Sequence, residues 1–136
     1  MARLDTQDAG KLLLRLTIGV LLLLHGIHKI RHGVDGIIGN VERHDLPGFL
    51  GYGVYLGEVV APLLLIAGWQ TRIAAAVVAF NMVVAVWLAH AGDVLLITDK
   101  GAWAIELPGL YLLGAVAIAL LGSGRYAVSR GAGRFD

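Results

Sequence analysis

The sequence contains no cysteine among its 136 residues. Disulfide bonds, thiolate zinc sites, iron–sulfur ligation and thiol redox chemistry by this chain are therefore excluded. Charged residues are also scarce, at 15% of the chain, and the net charge is only +1. Such a charge balance provides no field that would attract nucleic acid, so no nucleic-acid partner is expected. Any redox role would need a bound cofactor or another subunit.

Apolar residues, in contrast, make up 57% of the chain, and the mean hydropathy of +0.75 is high for a soluble domain. Four apolar stretches lie at about residues 12–30, 50–69, 73–91 and 102–122. Each holds roughly 19 to 21 residues, and a helix of that length matches the roughly 30 Å hydrocarbon core of a bilayer. Four buried helices of a soluble protein are the alternative, but these stretches leave almost no polar face for water. We therefore predict an all-α integral membrane protein, with residues 1–136 forming a single transmembrane domain.

The connections predict an antiparallel four-helix transmembrane bundle with a long first loop. Residues 70–72 allow only a tight reversal between the second and third stretches, whereas residues 31–49 form a loop long enough to be functional or to carry its own short helix. Both termini then share one side of the membrane. Positive charges favour a cytoplasmic location for that side: it carries Arg3, Lys11, Arg72, Arg125, Arg130 and Arg134, against Lys29, Arg31, Arg43 and Lys100 on the other side.

Ionisable residues inside predicted spans are candidate functional groups, because each costs at least about 2.5 to 3.5 kcal/mol to insert. Glu58 is the ninth residue of the second stretch and lies about 13 Å below the surface, too deep for its side chain to reach water. We expect it to be protonated, or to be paired or solvated inside the bundle. Asn81, near the middle of the third stretch, is the expected partner by depth. A purely structural hydrogen bond between helices is the alternative.

The first stretch carries a stripe of residues on one helical face. The stripe contains Arg15, Gly19, Leu22, Gly26 and Lys29, and we predict that it faces the bundle. Arg15 is also within reach of the terminal side of the membrane, where lipid phosphate is an alternative ligand.

Titratable groups from all four helices converge at the end of the bundle away from the termini. An up-down-up-down chain places His25, His28, His90 and Glu106 at this end, with Glu58 beneath them. Such a convergence predicts a small polar pocket capped by the long loop. Each histidine alone is also typical of an interfacial hydrogen-bonding residue. Because only the histidines at 25 and 28 share a spacing near that of metal ligands, no metal or haem site is predicted.

Aromatic residues collect near the same boundary. Tyr55 and Trp103 are among them, and their position is typical of any membrane protein, although they are also suited to stacking on a flat ring.

Several residues together form a pattern specific in order and spacing: Arg15, Gly19, Gly26 and Lys29 in the first stretch, Pro47-Gly48 before the second, Glu58 within it, Gly68 with Thr71-Arg72 at the tight turn, His90 closing the third, Glu106 in the fourth, and Gly122-Ser123-Gly124-Arg125-Tyr126 at its end. This pattern resembles the DoxX family of small bacterial membrane proteins. The resemblance implies a four-helix bundle in the bacterial inner membrane. It also implies an oxidoreductase label, because relatives include a membrane subunit of thiosulfate:quinone oxidoreductase.

Two functions are then compatible with the sequence. In the first, the protein is a quinone-linked redox component with an intramembrane polar pocket, in which a proton relay serves the head group of a quinone cofactor. The relay residues are Glu58, His90 and Glu106, and the binding residues are Arg15, His25, Lys29, Tyr55, Asn81 and Trp103. In the second, it is a non-catalytic scaffold for a soluble redox or sulfur-metabolism enzyme, or a binder or carrier of a small amphiphile. A homo-oligomer is compatible with either.

Overall fold

The computed structural model describes residues 5–136, and Arg3 of the charge count lies outside them. The regular secondary structure over this range is helical, apart from one isolated antiparallel bridge between Ile97 and Trp103. The α-helices are α1 (Thr6–His32), α2 (Asp35–Glu42), α3 (Ala61–Ala67), α4 (Thr71–Ala89) and α5 (Glu106–Leu121). Short 3₁₀ turns occupy Gly48–Gly53 and Ala91–Asp93, and a π-helical turn occupies Leu56–Val60.

Among the described residues, three helical segments are long and apolar enough to cross a membrane: Thr6–His32, Gly48–Ala67 and Thr71–Ala89. The shorter helix α5 is also apolar. Large apolar side chains are exposed on the outer faces of the helices, for example Phe80, Leu113 and Leu120. Exposed apolar surface on this scale fits contact with lipid.

The core lies between α1, α3, α4 and α5, and small residues bring α4 and α5 together. Ala74, Ala75 and Ala115 are buried where these helices meet, and small side chains of this kind let helix backbones approach closely. On α1, the residues Arg15, Gly19, Leu22 and Gly26 are all buried. The prediction that this stripe faces the bundle is confirmed for those four positions.

The loops follow the predicted pattern at two places and depart from it at a third. The long first loop carries its own helix, α2, and the chain reverses tightly between Ala67 and Thr71. The last helix, however, begins at Glu106 rather than near residue 102, and residues 96–104 form a small hairpin before it.

The second apolar segment, Gly48–Ala67, is irregular around Pro62. Proline has no N–H, so Pro62 cannot donate to the carbonyl of Glu58 one turn earlier. The π-helical turn accommodates this, because the N–H of Ala61 donates to the carbonyl of Leu56. Helix α1 lies directly against the freed carbonyl: a Cβ atom at Gly26 would be 2.1 Å from the Glu58 carbonyl oxygen. Only glycine allows so close an approach, which brings α1 and the second segment together at the level of Glu58.

Arg15 connects several segments at the end of the bundle opposite the long first loop. Its side chain is fully buried, and its guanidinium donates to the carbonyls of Leu65, 3.1 Å away, and Tyr126. Gly68 ends α3 with a φ of 71°, and a Cβ atom there would lie 1.9 Å from Nη1 of Arg15. The alternative ligand for Arg15, lipid phosphate, is contradicted because the guanidinium is enclosed by protein carbonyls. The arginine instead joins α1 to the end of α3 and to the segment after α5.

Candidate functional site

A cavity of about 670 Å³ opens at the end of the bundle that bears the long first loop. Residues of α1, the second segment, α4 and α5 form its walls, and α2 contributes Ile37 and Val41 to its cover. The volume lies within the range of roughly 300 to 1,000 Å³ that is typical of small-molecule sites. Most of the lining is apolar. The polar side chains that line it are His25, Lys29, Asn40, Glu58, Asn81, His90 and Tyr111.

A part-buried ion pair belongs to this polar set. The ammonium of Lys29 donates a hydrogen bond to Oε2 of Glu58, and the two side chains are 24% and 7% exposed. The prediction that Glu58 is paired inside the bundle is confirmed, but the predicted partner, Asn81, is wrong. The prediction compared only the depths of residues along straight helices, and depth alone did not identify Lys29 as the partner of Glu58. The close approach of α1 at Gly26 does so, because it lets the flexible lysine stem reach the carboxylate.

Asn81, on α4, lines the same cavity as the ion pair. Its side chain packs against Gly57, where an added Cβ would lie 2.3 Å from the Asn81 Cγ atom. The Nδ2 atom is buried and has no hydrogen-bond partner in the described part of the chain. An unsatisfied buried donor costs about 1 to 3 kcal/mol. The wall of the cavity therefore contains an amide donor that has no partner among the described residues.

His25 and Tyr111 form another wall of the cavity. Their rings meet edge to face, with centroids 5.9 Å apart and an interplanar angle of 86°. Sequence reasoning missed Tyr111, although a tyrosine inside an apolar span was a usable signal, since a buried phenol needs a polar surrounding.

His90 also lines the cavity, near its opening. It is exposed, and its Nδ1 atom lies 3.2 Å from Oδ2 of Asp93. The imidazole is thus positioned between the cavity and the solvent.

The other predicted site residues lie outside this cavity. Arg15 is at the opposite end of the bundle, and Glu106 is exposed at the first residue of α5. The Tyr55 hydroxyl donates to the carbonyl of Lys29, 3.1 Å away, and supports the end of α1. The Trp103 Nε1 atom donates to the carbonyl of Val94, 2.7 Å away, in the connection before α5. The structure therefore brings together Glu58, Lys29, Asn81, His25 and His90, but not these four.

The donor set does not resemble a metal centre. Among residues 5–136, no three side chains of His, Asp or Glu are grouped so that they could hold a metal ion. The polar groups of the cavity are ones that can form hydrogen bonds.

Comparison with known proteins gives a family match and a curated relative. The family model DoxX matches residues 10–91, a range that contains Lys29, Glu58, Asn81 and His90. A curated protein of Bacillus subtilis (strain 168), named "Putative oxidoreductase CatD", is 28% identical over 118 residues, which cover 85% of this chain and 81% of that protein. A search of the solved structures finds no match.

Proposed function

The chain belongs to the DoxX family, and we propose that it is a quinone-linked redox component of the bacterial inner membrane. Its long apolar helices and its family mark it as a multi-pass membrane protein. The similarity to a relative named as an oxidoreductase supports a redox-related role. The link to a quinone and the location in the bacterial inner membrane are what we propose.

The observation that carries the proposal is the Asn81 amide, which has no partner in the described part of the chain and shares a largely apolar cavity with a part-buried ion pair. A quinone combines a flat ring that bears two carbonyl acceptors with an apolar tail, and these features fit the amide donors and the apolar walls. When bound, a quinone supplies the chemistry of a two-electron, two-proton carrier. Because the chain has no cysteine, the electrons must come from a donor substrate or from another subunit.

The residues of the chain have distinct proposed roles. Asn81 and Lys29 donate hydrogen bonds to ring carbonyl oxygens and so orient the head group. Glu58 holds or releases a proton next to them, while the Lys29 ammonium compensates its charge. His90 exchanges protons with solvent at the opening of the cavity. The apolar walls exclude water and accommodate the tail.

We further propose that the chain crosses the membrane four times in alternating directions, with cytoplasmic termini. Two sets of contacts support this arrangement. Arg15 contacts Leu65 while Lys29 contacts Glu58, so α1 and the second segment run in opposite directions. Arg72, at the start of α4, donates to the carbonyl of Ala119 near the end of α5, 2.6 Å away.

Binding is testable by fluorescence, because Trp87 lines the cavity whereas Trp69 and Trp103 do not. A W69F/W103F variant retains one tryptophan at the site. Titration of this variant, reconstituted in liposomes, with a short-chain benzoquinone should quench the emission of Trp87 to saturation. In the same background, Asn81→Leu keeps the side-chain volume but removes the donors. Loss of about 1 kcal/mol of hydrogen bonding should raise Kd roughly five- to tenfold.

Controls separate binding from folding and binding from redox chemistry. Asn81→Gln keeps the donors and should recover part of the affinity, and circular dichroism must show an intact fold for each variant. Quenching that never saturates would contradict the quinone site. Equal displacement of the quinone by an uncharged amphiphile that lacks carbonyls would favour the binder or carrier function. The mainly apolar lining of the cavity is compatible with that function.

The redox step has its own test. Glu58→Gln should leave quinone binding intact but abolish quinone-dependent electron transfer in membranes. If no quinone supports transfer by the unmodified protein while a soluble redox or sulfur-metabolism enzyme co-purifies with it, the scaffold function replaces the one proposed.

A further inference from the structure

The connection between α4 and α5 presents an apolar surface that the cavity does not use. Residues 94–97 read Val-Leu-Leu-Ile, and Leu95 and Ile97 are 93% and 66% exposed. Charged residues flank this run, with Asp93 before it and Asp99 and Lys100 after it. A short apolar run between charges is typical of a segment that enters the interface of a bilayer.

The backbone of this connection is internally hydrogen-bonded. Residues 94–104, which we call the 94–104 hairpin, contain the bridge between Ile97 and Trp103. The N–H of Thr98 donates to the carbonyl of Ala102, 2.7 Å away, and the N–H of Ala104 donates to the carbonyl of Leu96, 3.0 Å away. This pairing reduces the number of free backbone groups in the connection, which lowers the cost of approaching the interface of a bilayer.

The hairpin is held against α5 rather than extended away from it. The Trp103 ring packs on Gly109, where an added Cβ would lie 2.6 Å from Cζ3 of Trp103. Gly109 is one turn inside α5, so the hairpin lies beside the beginning of that helix. Helix α5 has 16 residues, which gives a length of about 24 Å against the roughly 30 Å of hydrocarbon. Helix α5 is therefore shorter than the hydrocarbon core, and the hairpin is the segment that adjoins its beginning.

We propose that the 94–104 hairpin is an interfacial membrane anchor whose ligand is the lipid surface. Leu95 and Ile97 insert at the boundary between head groups and acyl chains, and the turn with Asp99 and Lys100 stays in water. The hairpin packs on α5 through Trp103 and Gly109, and α5 carries exposed apolar side chains such as Leu110 and Leu113, which favours lipid over a protein partner as the occupant. This proposal does not depend on what the cavity binds.

The absence of cysteine from the sequence makes the test direct, since a single introduced thiol can be labelled in the full-length protein. Leu95→Cys, labelled with the environment-sensitive dye NBD and reconstituted in phosphatidylcholine liposomes, reports on position 95. Asp99→Cys is the matched aqueous control on the same hairpin, and Leu113→Cys, on the exposed apolar face of α5, is the lipid control.

We expect the emission from position 95 to be blue-shifted, quenched by shallow brominated lipids nearly as well as position 113, and quenched by aqueous iodide several-fold less than position 99. Equal access of iodide to positions 95 and 99 would overturn the proposal. Shielding of position 95 from both iodide and brominated lipid would overturn it too, because the hairpin would then pack against protein.

A second measurement uses no dye, so its result does not depend on whether the label perturbs the hairpin. In the unlabelled protein, Ile97→Trp should give a tryptophan signal that brominated lipids quench. The W69F/W87F background keeps Trp103, which holds the hairpin on α5, and the signal of position 97 is the difference between this background with and without Ile97→Trp. No quenching there would equally count against the anchor.

Discussion

The ion pair between Lys29 and Glu58 should respond asymmetrically to substitution of its two members. Breaking a buried ion pair by removing one partner costs about 3 to 5 kcal/mol, because the remaining charge stays buried without compensation. In Lys29→Met the apolar stem is kept, but Glu58, which is 7% exposed, cannot turn to water. We expect the free energy of unfolding to fall by about 3 kcal/mol, the lower end of the range, since a stranded carboxylate can bind a proton.

Removal of the other partner should cost less. In Glu58→Gln the remaining lysine is 24% exposed, and its flexible stem lets the ammonium move toward the interface, so a loss of about 1 kcal/mol is expected. The double variant K29M/E58Q carries no stranded charge and should resemble Glu58→Gln alone. The coupling energy of the pair is then about 3 kcal/mol.

The measurement is reversible unfolding by SDS titration in mixed micelles, followed by far-ultraviolet circular dichroism at fixed pH and salt. Lys100→Met, which removes an exposed lysine from a turn, is the control and should change stability by less than about 0.5 kcal/mol. Equal costs for the two single substitutions would refute the argument from burial. Additive costs would show that the two side chains do not stabilise each other at all.

Two further substitutions test the packing at either end of the bundle. Gly26→Ala should destabilise the protein by about 1 to 3 kcal/mol in the same assay, because the new methyl group meets the carbonyl of Glu58. Gly36→Ala, on α2 with no atom within 4 Å of the new group, should be neutral or gain up to about 1 kcal/mol. Arg15→Met should lower stability by about 2 to 4 kcal/mol and raise protease sensitivity after Tyr126, since buried carbonyls lose a charged donor. Unchanged proteolysis there would contradict the link to the C-terminal segment.

Hydropathy and turn chemistry were enough to predict much of the fold. Three of the four apolar stretches coincide with long helical segments, and the buried face of α1 followed from the helical period of Arg15, Gly19, Leu22 and Gly26. Both signals arise from burial, which is visible in the sequence as apolar composition and helical periodicity.

No comparable sequence pattern identifies the partner of Glu58. Depth along a straight helix ranks candidates only by height, whereas lateral approach depends on local backbone geometry. Here the π-helical turn before Pro62 and the missing side chain at Gly26 decide the distance between the two segments. The choice of Lys29 over Asn81 is therefore a tertiary effect.

The beginning of α5 could have been predicted more closely. Residues 102–105 are apolar enough to extend a span, so hydropathy alone placed them in the helix. Pro108, however, favours a helix start within the preceding residues, since proline is tolerated in the first turn of a helix. The helix begins at Glu106 as that signal indicates, and Trp103 belongs to the hairpin as a result.

The enclosure of Arg15 by Gly68 predicts how the two positions tolerate change in a mutational library. A side chain larger than hydrogen at position 68 collides with the guanidinium and must also adopt a left-handed backbone, so most replacements there are intolerable on their own. Shortening residue 15 relieves the collision but not the backbone strain. Surviving double variants should therefore be enriched in asparagine at 68 combined with a small residue at 15, an epistatic signature that neither position would display alone.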